Sequence, residues 1–195
     1  MRYSELLKLK DKFYFGVDDL QELFKIKHGS ARVLCSRYVK KGFFVRLKKN
    51  FYVLNETWEN FNEDSLLKIA NILQVPSYVS FMTALSVYGL TSQVQKDFLE
   101  SASLKRSQKN NIKGTAFNYY KLKKQHYSGF IKKDGIFIAT KEKAFIDAVY
   151  LYSFGKYKFD FNSIDMEKLN KNKLKEIIKK YPERTKNVLK KLCRI

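Results

Sequence analysis

Three charged residues stand close together inside one otherwise apolar segment of this chain. Glu142, Lys143 and Asp147 lie in a stretch, 141–152, that reads as a helix apolar nearly all round: Ala144, Phe145, Ile146, Ala148, Val149 and Leu151 surround them. Lys143 and Asp147 are four residues apart and can pair along one helix face. Glu142, in the first turn, faces the positive end of the helix dipole. Together they could form an acid cluster or a partner-recognition surface, with Glu142 and Lys143 at the helix start more accessible than Phe145 or Ile146. The plainer alternative is that they anchor the end of a buried helix. His28, in the turn before Ser30, and His126, in a basic loop, have no serine or cysteine nucleophile at a recognisable spacing. No glycine-rich phosphate loop, HExxH or GxSxG occurs, and Cys35 and Cys193 lack metal-ligand spacing. The expectation is a non-enzyme with no catalytic residue, cofactor or metal.

The second constellation is basic. The chain of 195 residues carries 39 basic and 19 acidic groups, a net charge of +20, and the excess is zoned. Residues 1–54 hold 13 basic and 5 acidic groups, whereas residues 55–104 hold 2 and 6. Residues 105–162 return to 13 and 4, and residues 163–195 to 11 and 4. A uniformly solubilising charge would not be distributed in this way. Basic side chains that neutralise phosphates release condensed counterions, so a nucleic acid is the expected partner. Of the 39 basic residues, however, 32 are lysines, which coding bias alone could produce.

The first 54 residues can hold those charges in order. A short helix at 4–10 and an apolar run, Phe13 to Phe15, precede Asp18, which with Gln21 fits a capping box. Leu20, Leu23 and Phe24 give the helix that follows its buried stripe. Gly29 breaks the chain, and Ser30 is the expected cap of a helix to Lys41. In that helix Ala31, Leu34, Cys35 and Tyr38 share one face. Its other face carries Arg32, Ser36, Arg37, Lys40 and Lys41. Strands at 43–48 and 51–54 then flank a Lys49-Asn50 tip. Two helices across a glycine turn followed by a basic hairpin make a winged helix-turn-helix. Arg32 and Arg37 are the expected base readers, since arginine can hold guanine O6 and N7 together. Ser30, Ser36 and Asn50 are candidates for polar contacts, and Lys40, Lys41, Arg46, Lys48 and Lys49 for phosphates.

Beyond this unit, 55–62 reads as a polar linker and 63–195 as a second domain. A helix around Leu66 to Leu73 stops before Pro76. Ser80 caps another helix, closed by Gly89. Strands at 98–103 and 115–122 are separated by a basic loop, Lys105 to Lys113. A further strand, 135–139, leads to Thr140, the expected cap of the apolar helix. Two terminal helices complete the chain, with Lys186, Lys190, Lys191 and Arg194 outward. The fold class is α+β: an N-terminal winged helix-turn-helix, then a mixed α/β domain with a helical C-terminus. No apolar run is long enough to span a membrane, and no signal-peptide core is evident, so a cytoplasmic location without membrane association is expected.

Three segments carry a family resemblance. The stretch from Phe15 through the hairpin, then PSYVSFMTALSVYGL (Pro76 to Leu90) and IATKEKAFIDAVYL (Ile138 to Leu151), resembles the AbiEi-type antitoxin family over residues 13–152. The second and third segments are the more specific. The resemblance implies a bacterial antitoxin of an abortive-infection toxin–antitoxin pair. The winged helix would repress its own operon by binding operator DNA, and the second domain would counteract a nucleotidyltransferase-like toxin. A plain repressor without a toxin, or an RNA-binding protein using the 105–113 loop, are the alternatives. The lysine-rich C-terminus is short for the family.

Overall fold

Two residues in the left-handed region, Lys25 (φ 51°) and Asn50 (φ 62°), turn the corners of the N-terminal region in the computed structural model, which describes residues 3–91 and 97–193. Arg194 therefore lies outside the described residues. The chain is mixed α+β and divides into two compact units, Met1–Leu66 and Leu67–Ile195.

In the first unit, α1 (Tyr3–Leu6) passes through a 3-10 turn, Leu7–Leu9, towards α2 (Val17–Phe24) and α3 (His28–Lys40). A hairpin of β1 (Phe44–Lys48) and β2 (Phe51–Leu54) follows, then α4 (Asn55–Glu59). The start of α2 differs from expectation. Gly16 is its N-cap, and Asp19, not Gln21, reaches back to accept the Gly16 N–H at 2.6 Å. The Val17 N–H is taken by Asn50 Oδ1 at 2.8 Å, so the hairpin tip helps to close the helix end. Helix α3 begins at His28 rather than Ser30, because the Lys27 carbonyl already accepts the Ala31 N–H at 3.0 Å. Ala31, Leu34 and Cys35 face a core with Leu20, Phe15, Phe44 and Tyr52. Phe15 also exchanges two backbone hydrogen bonds of 2.8 Å with Tyr52, which adds a bridge to the hairpin. The expected linker 55–62 is partly helical and belongs to this unit. Trp58 is buried there against Phe61, and one large aromatic outweighs its polar neighbours.

The second unit is built on a six-stranded sheet. Helix α5 (Glu63–Leu73), in which the division between the units falls, is followed by β3 (Ser77–Val79), α6 (Phe81–Val87), β4 (Phe98–Ser103), β5 (Gln108–Ile112) and β6 (Thr115–Lys121). Then come β7 (Phe130–Lys133), β8 (Ile136–Ala139), α7 (Lys141–Ser153), α8 (Lys171–Ile178) and α9 (Glu183–Cys193). The sheet order is β5-β6-β4-β3-β8-β7, with parallel pairs at β4–β6 and β3–β8. The loop expected at 105–113 is largely β5, an edge strand whose Gln-Lys-Asn-Asn sequence hides it from hydrophobic patterning. It turns into β6 at Lys113 (φ 48°) and Gly114 (φ 91°), the two positive φ values of a tight hairpin. Helix α7 is buried on nearly every side, as its composition predicts, and the Thr140 side chain accepts the Lys143 N–H at its start.

Candidate functional site

In the first unit an open groove of about 790 Å³ lies between α3 and the hairpin. Helix α3 supplies Gly29, Arg32, Val33 and Ser36 to it, and the hairpin supplies Arg46, Lys49 and Asn50. The apolar face of α3 is anchored in the core, so the helical repeat directs Arg32, Val33 and Ser36 outward together. Val33 is 59% exposed, which leaves a branched apolar side chain among cations. The groove floor is Tyr52, whose phenol sits beside the Cys35 thiol. Burial pushes that thiol up to about 11, so Cys35 is an inert part of the core. Burial also raises the Tyr52 pKa, and the nearby Arg46 and Arg32 charges oppose that rise.

Of the ten basic and polar residues expected to meet DNA, five line this groove: Arg32, Ser36, Arg46, Lys49 and Asn50. Ser30, Arg37, Lys40 and Lys41 are exposed but outside it. Lys48 sits over the Phe51 ring, 4.2 Å from its centroid. Asn50 has a structural task as well, through its bond to Val17. His28, expected in the turn, and Val33, absent from the expected outward set, also line the groove, because α3 already starts at His28 and its repeat turns both towards the hairpin.

The Glu142, Lys143 and Asp147 cluster is not the accessible feature that its place near a helix start suggested. Their exposures are 2%, 1% and 0%. Lys143 Nζ donates to Asp147 Oδ1 and, at 2.9 Å, to the Tyr78 hydroxyl. Tyr78 and Ser80 each donate to Asp147 Oδ2 at 2.9 Å, and Tyr181 donates to Oδ1 at 3.5 Å. Burial lowers the Lys143 pKa and raises that of Asp147, and the attraction between the two opposes both shifts. Glu142 Oε1 accepts the Asn170 N–H at 3.2 Å, which ties α7 to the start of α8. The two most specific sequence segments therefore meet in one buried polar network: Tyr78 and Ser80 come from the first, Lys143 and Asp147 from the second. Beside it His126, expected in a basic loop, is 1% exposed and stacked 4.1 Å from the Tyr181 ring centroid. Its aromatic neighbours made the difference, since Tyr150 and Tyr181 close over it.

Among the described residues no group of three or more His, Cys, Asp or Glu side chains is arranged to hold a metal ion, and no helix is long and apolar enough to cross a membrane. No protein-family model and no curated protein sequence matches the chain.

Proposed function

We propose that the protein is a DNA-binding antitoxin. Its first unit acts as a winged helix that grips its own operator, and its second unit opposes a nucleotidyltransferase-like toxin. The observation that carries the DNA reading is the groove in which Arg32, Arg46 and Lys49 converge from two elements around exposed Ser36 and Val33. A helix with this face fits the major groove: arginine reads guanine, and an exposed apolar side chain can meet the thymine methyl group. The hairpin cations then supply sequence-independent phosphate contacts. The antitoxin half rests on the resemblance of the Pro76 to Leu90 and Ile138 to Leu151 segments. In this reading those segments define the core of the domain, and the surface that opposes the toxin lies elsewhere on the unit.

The test uses the full chain and the DNA upstream of its own coding region. Arg32→Ala should weaken operator binding by about 1–3 kcal/mol and relax specificity at one base pair. Lys49→Ala should weaken operator and unrelated duplex alike. Arg32→Ala/Arg46→Ala, with both side chains exposed, should lose repression yet still relieve toxicity when co-expressed with the neighbouring toxin gene. Unchanged operator affinity in the double variant would remove the DNA reading. Growth arrest despite the wild-type chain would remove the antitoxin reading.

A further inference from the structure

A second opening, in the C-terminal unit, combines aromatic rings with cations. It is a cleft of about 550 Å³, within the range of about 300–1,000 Å³ typical of small-molecule sites. Its source in the sequence is Phe154-Gly155-Lys156-Tyr157-Lys158-Phe159, in which rings and lysines interleave just after α7. Lys156 and Lys158 stand exposed on one wall, and Lys109 of β5 faces the same space. Phe98, Tyr120 and Phe159 are half-buried and present ring surface to it.

The floor holds these rings in place. Glu100, 1% exposed, accepts from the Tyr157 hydroxyl at 2.6 Å, the Tyr120 hydroxyl at 3.2 Å and the Met82 N–H at 3.1 Å. Tyr120 packs edge-on to Tyr157 at 5.3 Å, and Phe159 lies 5.6 Å from Tyr157. The polar ends of the tyrosines are thus tied down beneath the cleft, which leaves carbon faces and three ammonium groups to a ligand.

A simple anion would use only the lysines, and an apolar ligand only the rings. Paired bases in a duplex have no free face to offer. An unpaired nucleotide uses both parts, since every base has a π-face and each phosphate a charge. We propose that this cleft binds an unpaired nucleotide, with the base against Phe159, Phe98 and Tyr120 and the phosphate among Lys109, Lys156 and Lys158. The inference is independent of the DNA-binding proposal. The nucleotide can be free or part of a single strand.

The experiment follows fluorescence anisotropy of a labelled twelve-nucleotide oligoadenylate in the full chain. The background is Arg32→Ala/Arg46→Ala, which removes the proposed duplex contacts of the first unit. Binding is expected in this background. Phe159→Leu, which keeps an apolar side chain in place, should weaken it by about 5- to 150-fold, the range of one lost base stack. Lys156→Ala/Lys158→Ala alters only exposed side chains and therefore leaves a folded protein. It should lower the slope of log affinity against log salt by about 0.7 for each phosphate no longer neutralised. Competition by adenosine 5′-monophosphate would assign the site to a free nucleotide, and competition only by oligoadenylate would assign it to a strand. No binding by the background overturns the proposal. So does loss in the lysine variant while folded Phe159→Leu, with wild-type circular dichroism, binds normally: a polyanion surface would behave that way.

Discussion

Replacing Lys143 by Met tests whether the buried ion pair organises the second unit. Methionine keeps most of the unbranched stem and removes the ammonium. Asp147, fully buried, would then rely on hydroxyls from Tyr78 and Ser80 at 2.9 Å and Tyr181 at 3.5 Å. Removing one partner of a buried pair typically costs about 3–5 kcal/mol, because the other charge is left uncompensated. The three hydroxyls soften that loss, so Lys143→Met should fall near the lower end, about 3 kcal/mol. Asp147→Ala should be worse, at about 5 kcal/mol, because it strands the ammonium and removes the acceptor of all three hydroxyls. At about 3–4 °C per kcal/mol for a unit of this size, the melting temperature should drop by roughly 10 °C and 15–20 °C. The double variant Lys143→Met/Asp147→Asn removes both charges but retains an acceptor for Tyr78 and Ser80. It should therefore be more stable than Lys143→Met alone. Scanning calorimetry of the full chain at pH 7 measures all three, with near-ultraviolet circular dichroism following the tyrosines. A shift under about 3 °C for Lys143→Met, or strictly additive effects in the double variant, would refute the argument that the pair and its hydroxyls act as one network.

Two further perturbations probe the same region. His126 is held down to about 4, first by burial and then by the Lys143 and Lys123 charges, and its Nδ1 has no hydrogen-bond partner among the described residues. A depressed histidine contributes stability that is present above its unfolded value near 6.5 and is lost as pH falls through about 4, at up to about 1.4 kcal/mol per pH unit. Melting temperature measured from pH 7 to pH 4 should fall less steeply in His126→Phe, which keeps the stack on Tyr181; an unaltered slope would show that His126 does not titrate in this window. Gly129 has φ +75°, and an added Cβ would lie 3.1 Å from Lys143 Cγ. Gly129→Ala should therefore cost more than the roughly 1–2 kcal/mol of left-handed strain alone, measured by urea denaturation, and a cost no greater than that strain would mean that the Lys143 stem shifts freely.

Elements with strong, local periodicity were legible along the chain. Ala31, Leu34 and Cys35 set the buried side of α3 and so turned Arg32 and Ser36 outward, because a helix of 3.6 residues per turn leaves no other arrangement. The composition of 141–152 announced a helix buried all round, and Thr140 marked its start. Two edge strands lack an alternating apolar pattern: β5 is mostly glutamine, lysine and asparagine, and β7 is Phe130 and Ile131 followed by two lysines, so their identity comes from pairing with β6 and β8. Tertiary structure alone decided which charges belong to the surface and which are parts of the core. In sequence Lys143 is a lysine like Lys156, and Glu142 and Asp147 are acids like any on the surface. What buries them is the arrival of Tyr78, Ser80, Tyr181 and the start of α8 from other parts of the chain. The aromatic cleft follows the same logic, since Lys109 meets Lys156 and Lys158 only when β5 adds to the sheet edge beside β6. Desolvation depends on what surrounds a group in space, and a linear pattern records only its neighbours along the chain.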